Sequence, residues 1–84
     1  MPFERSKEGI QRAIDLTRST LENATTTTSP FVTSRGKQTV VDIYSENTGM
    51  TVRVNAKTGD FETLIDQKTW RVEAAERASK TGTD

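Results

Sequence analysis

The sequence predicts an α+β fold: an N-terminal helix packed on an antiparallel meander sheet of three to four strands, followed by a weak C-terminal helix or tail. Three observations predict it. Apolar residues recur at helical spacing from Ile10 to Ala24. Three alternating, β-branched runs follow between Thr39 and Ile65. Each of the two gaps between those runs ends in a glycine. Alternation with period two and glycine-closed gaps is the pattern of consecutive hairpins.

The helix is predicted over Lys7–Glu22. Ile10, Ala13, Ile14, Leu21 and Ala24, with Thr17 between them, fall on one helical face, the expected core stripe. Ser6 offers an N-cap oxygen, and Glu8 suits the positive end of the helix dipole. Glu8 and Arg12 are spaced i, i+4 in the favourable order, worth about 0.3–0.5 kcal/mol.

Asn23 starts a breaker. Thr25–Ser29 has poor helix propensity, and Pro30 pushes Ser29 away from the α region. The run reads first as a connector, with an extended edge strand as the other reading. Phe31-Val32-Thr33 begins a short strand, and Ser34-Arg35-Gly36-Lys37 is a basic turn.

The meander strands are Thr39–Tyr44, Met50–Asn55 and Asp60–Ile65, with Gly49 and Gly59 closing the turns at positive φ. Alternation puts Val41 and Ile43 on one face and Val40, Asp42 and Tyr44 on the other. Met50, Val52 and Val54 oppose Thr51, Arg53 and Asn55; Phe61, Thr63 and Ile65 oppose Asp60, Glu62 and Leu64. One face is apolar and receives the helix. The other displays Asp42, Tyr44, Thr51, Arg53, Asn55 and Glu62, and is the expected ligand face. Trp70 is expected to pack over a sheet end. Arg71–Lys80 forms the weak last helix, residues 1–80 make one domain, and 81–84 a disordered tail.

Composition narrows the chemistry. The 84 residues carry 12 basic and 12 acidic side chains, with no histidine and no cysteine. Disulfides, thiolate zinc sites and histidine-based nucleophilic catalysis are therefore excluded. The carboxylates are scattered rather than grouped as in a calcium loop, so no metal site and no cofactor are expected. No phosphate-loop motif is present. No apolar run approaches the roughly 20 residues a membrane helix needs, and MPFERSKEGI lacks a signal-peptide core. The expected site of action is cytoplasmic, with no membrane partner. The net charge is zero but unevenly spread: residues 33–57 are mildly basic and 58–84 mildly acidic.

What remains is acid–base or electrostatic catalysis by Lys, Arg, Tyr and carboxylates. RNA cleavage by its own 2′-hydroxyl needs no more than that. The nucleophile belongs to the substrate, and the protein orients the phosphate, stabilises added negative charge and helps move protons. Arg35, Lys37 and Arg53 are the candidate catalytic cations. Arg53 has a second reading, as a cross-strand partner of Asp42 or Glu62. Tyr44 also reads as a half-buried ring and Trp70 as a core plug.

The segment from Gln38 to Trp70 resembles the core of the anticodon-cutting colicin ribonucleases and related polymorphic-toxin ribonucleases of the barnase/EndoU/colicin/RelE-like group. The likeness is carried by TVVDIY (Thr39 to Tyr44), TVRVN (Thr51 to Asn55), KTGDFETLID (Lys57 to Asp66) and DQKTW (Asp66 to Trp70), after a helix IQRAIDLTRST and a threonine-rich link. The resemblance implies a metal-independent, histidine-free endoribonuclease acting on tRNA or another RNA, restrained by an immunity protein. It implies a cationic pair from the N-terminal region (Arg5 or Lys7) and the loop before the sheet (Arg35 or Lys37). Lys7, Tyr44, Lys68 and Trp70 are then substrate-binding candidates, Trp70 by stacking on a base. The chain departs from the family pattern in being neutral and in lacking a tryptophan in its N-terminal half. The alternative is a small non-enzymatic inhibitor, of the phage-encoded kind, that blocks a macromolecular partner through its sheet edge or polar face.

Overall fold

Helix α1 (Lys7–Glu22), strands β1 (Thr26–Thr27), β2 (Phe31–Val32), β3 (Thr39–Ser45), β4 (Met50–Asn55) and β5 (Phe61–Ile65), and helix α2 (Trp70–Thr81) follow one another along the chain. The computed structural model describes residues 7–81. The expected roles of Ser6 and Arg5, and the tail from Gly82, lie outside the described residues. The α+β architecture is as expected, with five antiparallel strands rather than three or four. Among the described residues no helix is long and apolar enough to cross a membrane.

The sheet order is β1-β3-β4-β5, and β2 also pairs with β3. β1 and β2 thus share one edge of β3: Thr26 and Thr27 lie opposite Tyr44 and Ile43, Phe31 and Val32 opposite Val40 and Thr39. The threonine run is therefore strand at its centre, not only a connector. The break between the two pieces has a physical cause. Pro30 has no N–H to give a ladder, and buried Asp42 still needs partners. Thr28 supplies both: its N–H donates to the Asp42 carbonyl (2.9 Å), and its hydroxyl accepts from the Asp42 N–H (3.0 Å).

Both hairpin turns use the expected glycines, with φ of 69° at Gly49 and 79° at Gly59. The Asn55 carboxamide accepts from the Lys57 and Thr58 N–H groups, closing an Asx-type turn. Between β4 and β5 the register shifts: Val54 faces Phe61 but Arg53 faces Thr63. Glu62 is the extra residue of a bulge. This corrects the predicted alternation. Phe61 shares a face with Val54, and Leu64 with Val52; Thr63 and Ile65 lie on the opposite face.

Helices cover both faces. α2 lies over the Val40–Asp42–Tyr44 face of β3, tied down by Thr69 and by fully buried Val72, and the Thr51 hydroxyl donates to the Gln67 carbonyl ahead of it. The face expected to be an open ligand surface is therefore interior: Asp42 and Thr51 are 0% exposed and Tyr44 7%. α1 contacts β3 and β4 from the other side, over Met50 and Val52.

The rotation of α1 differs from expectation. Ile10, Ile14 and Leu21 are in phase with one another but exposed, at 55%, 46% and 43%. Buried Gly9 and Thr20, with half-buried Ala13, face the sheet instead. Gly9 and Thr20 each precede an exposed stripe member by one residue, while Ala13, at the edge of the predicted stripe, does turn inward, so the helix is rotated by up to about 100°. The small side chains let the helix approach closely. The Thr20 hydroxyl meets the Thr48 hydroxyl at 2.7 Å, fixing the rotation at the β3–β4 turn. Leaving three large side chains half in water forgoes on the order of 1 kcal/mol each.

Candidate functional site

Asp42, in the middle of β3, organises the covered face. Its Oδ1 accepts from Arg53 Nε (2.7 Å), and its Oδ2 accepts from Arg53 Nη2 (3.0 Å) and from the Thr69 hydroxyl (2.9 Å). Cross-strand register brings Arg53 opposite Asp42. Thr69 caps α2, its hydroxyl accepting from the Val72 N–H. The carboxylate thus also sits at the positive end of that helix. The bond to Asp42 raises the Arg53 pKa further, against the opposing effect of burial.

That anchoring starts α2 at Trp70 and builds an aromatic ledge. The Arg71 guanidinium carbon lies 4.3 Å from the Phe31 ring centroid and 4.3 Å from the Trp70 ring. The Arg53 guanidinium carbon lies 5.4 Å from the Phe31 centroid. Phe31 is half-buried between two guanidinium groups, and Trp70 stands 65% exposed. Trp70 is therefore not a core plug: most of it is open to solvent, and the Arg71 guanidinium lies over its ring.

The basic loop leads off the same end of the sheet. Phe31 and Asn55 both pair with Val40, so the β2–β3 loop and the β4–β5 turn emerge together. They carry exposed Arg35, Lys37 and Lys57 against the single acid Asp60. Lys37 is a non-glycine residue at φ 49°, following Gly36 at 70°. The opposite end holds Glu46, Asp66 and Lys68. A chain of zero net charge is therefore polarised along its strands.

Lys68 and Tyr44 meet at that opposite end, away from the basic loop. Lys68 Nζ is 2.9 Å from Glu76 Oε1, 3.8 Å from Glu46 Oε2 and 5.0 Å from the Tyr44 ring centroid. The hydrogen bond to Glu76 is the main reason the Lys68 pKa is raised. Lys68, Glu46 and Glu76 border a cleft of about 560 Å³ between β1 and α2, lined also by Thr25, Thr26 and Thr27. Lys68 is held by Glu76 with Glu46 close by, and buried Tyr44 offers no face for stacking.

The candidate residues thus fall into separate places. Arg35 and Lys37 share the loop, Arg53 and Trp70 flank the ledge, Lys68 borders the cleft with buried Tyr44 beside it, and Lys7 lies at the start of α1 on the other side of the sheet. The sequence reading missed Phe31 and Arg71. A phenylalanine in a two-residue strand and an arginine after the tryptophan give no signal until the register places them together. Among the described residues no cluster of three or more carboxylates suits a metal ion. Compared with family models, with curated proteins and with solved structures, the chain matches none.

Proposed function

We propose that the protein binds single-stranded RNA along the Trp70–Arg71–Phe31 ledge, and that Arg35 and Lys37 grip a phosphodiester beside it for metal-independent cleavage. The observation that carries this reading is the exposed Trp70 ring with a guanidinium at 4.3 Å. Stacking of a base on such a ring is worth about 1–3 kcal/mol and tolerates any sequence. Arg35 and Lys37 are exposed cations one loop away from Phe31. The 2′-oxygen attacks the adjacent phosphorus as its proton passes to water, the bond from phosphorus to the 5′-oxygen breaks to leave a 2′,3′-cyclic phosphate, the departing 5′-oxygen takes a proton from water, and the two cations stabilise the charge that develops on the phosphoryl oxygens. The left-handed backbone at Lys37 supports this role, because strained positions cluster at working sites. Arg53 has two N–H groups committed to Asp42. It acts as the support of the ledge rather than as a phosphate ligand.

The test uses total tRNA and a single-stranded RNA oligomer with wild-type protein, Trp70→Ala, and Arg35→Ala with Lys37→Ala. Discrete fragments with wild type, lost in the Arg35/Lys37 variant, are expected. Trp70→Ala is expected to weaken binding by about 5- to 150-fold. Intact, unbound RNA at high protein concentration overturns the reading.

A second reading, docking on a protein partner, is favoured by β5. Among the described residues it ends the sheet with one edge unpaired, and its Phe61 is 55% exposed. Strand addition at such an edge is a known mode of recognition. Protection of β5 amides by a captured partner, with RNA left uncut, would select it.

A further inference from the structure

We infer that the outward stripe of α1 is the contact surface for a second copy of this chain, with the two α1 helices packed antiparallel about a two-fold axis. The inference is independent of the RNA reading and uses the opposite side of the sheet.

The stripe is large where the inward face is small. Gly9, Ala13 and Thr20 face the sheet, and Ile10, Ile14 and Leu21 face out. With half-buried Thr17, whose hydroxyl donates to the Ala13 carbonyl, the stripe is spaced four, three and four apart, which is the spacing of a seam between two helices. Two-fold pairing about a point between Asp15 and Leu16 sets Ile10 against the partner's Leu21, and Ile14 against the partner's Thr17. In an isologous contact each such pair occurs twice.

Charge selects the partner and its direction. One margin of the stripe carries, by helical angle, Lys7, Arg18, Gln11, Glu22 and Asp15, all exposed. Along the axis this margin is basic at its start (Lys7) and acidic at its end (Glu22). Antiparallel pairing brings each margin against its own counterpart, with Lys7 near the partner's Glu22 and Arg18 near the partner's Asp15. Parallel pairing would set this margin against the partner's other margin, Gly9, Ala13 and Thr20, which carries no charge. The surface is thus complementary to itself in one orientation.

A seam of one 16-residue helix falls at the small end of specific interfaces, below about 1,200 Å² in total. The dimer is therefore expected to form reversibly with concentration. Sedimentation equilibrium of the 84-residue chain tests it. The average mass is expected to rise from 9.3 kDa towards twice that value. Ile14→Asp, at an exposed position, is expected to weaken the dimer by roughly 100-fold or more, since the change counts twice. Lys7→Glu is expected to weaken it about tenfold, and Lys7→Glu with Glu22→Lys to restore it. Circular dichroism verifies that each variant is folded. A monomer at every concentration overturns the inference. So does a dimer indifferent to both Ile14→Asp and the charge reversals.

Discussion

Removing the Asp42 carboxylate tests the structure most directly. Asp42→Ala deletes two bonds from Arg53 and one from the Thr69 hydroxyl, at a position with 0% exposure. Breaking a buried ion pair costs about 3–5 kcal/mol when the surviving charge stays buried. Here the survivor is Arg53, whose side chain is 25% exposed, so part of its charge regains water and about 2–3 kcal/mol is the better figure. The lost Thr69 bond adds about 1 kcal/mol. The total, about 3–4 kcal/mol, is a large share of the roughly 4–13 kcal/mol expected for a chain of this size. Urea unfolding followed by circular dichroism measures it. With a slope near 1 kcal/mol/M, the midpoint should fall by about 3 M. Arg53→Met should cost at least as much, because it strands the fully buried partner. A double-mutant cycle with Asp42→Ala and Arg53→Met should give a coupling above about 1.5 kcal/mol. Additive effects, or a loss below about 1 kcal/mol for Asp42→Ala, would refute the account of Asp42 as the anchor of both the sheet face and α2.

Other consequences are open to measurement. Thr28→Val removes the acceptor for the Asp42 N–H. It should cost about 1–3 kcal/mol and lower hydrogen-exchange protection at the Asp42 amide first. Lys37→Gly relieves a left-handed backbone and should raise stability by up to about 1 kcal/mol while weakening RNA binding; lower stability would show that the side chain holds the loop. Lys68 has a raised pKa from Glu76. Its contribution is fully present below the ordinary lysine value of about 10.4 and is lost as pH rises through the higher folded value. Thermal midpoints should therefore fall in that alkaline range, and Lys68→Met should remove this part of the fall.

Local signals carried much of the fold. The helix spans Lys7–Glu22 and β4 spans Met50–Asn55, as their periods predict. Gly49 and Gly59 take positive φ, as their turns require. Tertiary facts were not legible. Periodicity shows that Ile10, Ile14 and Leu21 share a face, but not that Gly9 and Thr20, one position earlier, join Ala13 against the sheet. Polar residues on alternate positions of β3 and β4 resemble a solvated face, because Asp42, Arg53 and Thr69 satisfy one another only once α2 is in place. The extra residue at Glu62 leaves no local mark, and a threonine run shows its strand character only against Tyr44 and Ile43. At the candidate site, Arg53 took the second of its two readings. Phe31 and Arg71 entered only through packing.

The two margins of the sheet are built differently. Beyond β3 the backbone is capped by two fragments of two residues each, split at Pro30, too short and too kinked to template another chain. Beyond β5 there is, among the described residues, no such guard except the kink at Glu62. Growth of this sheet by recruiting further strands can therefore proceed from one side only. Molecules joined rim to rim would stop at a pair, and a fibre would need Pro30 and its neighbours to come away first.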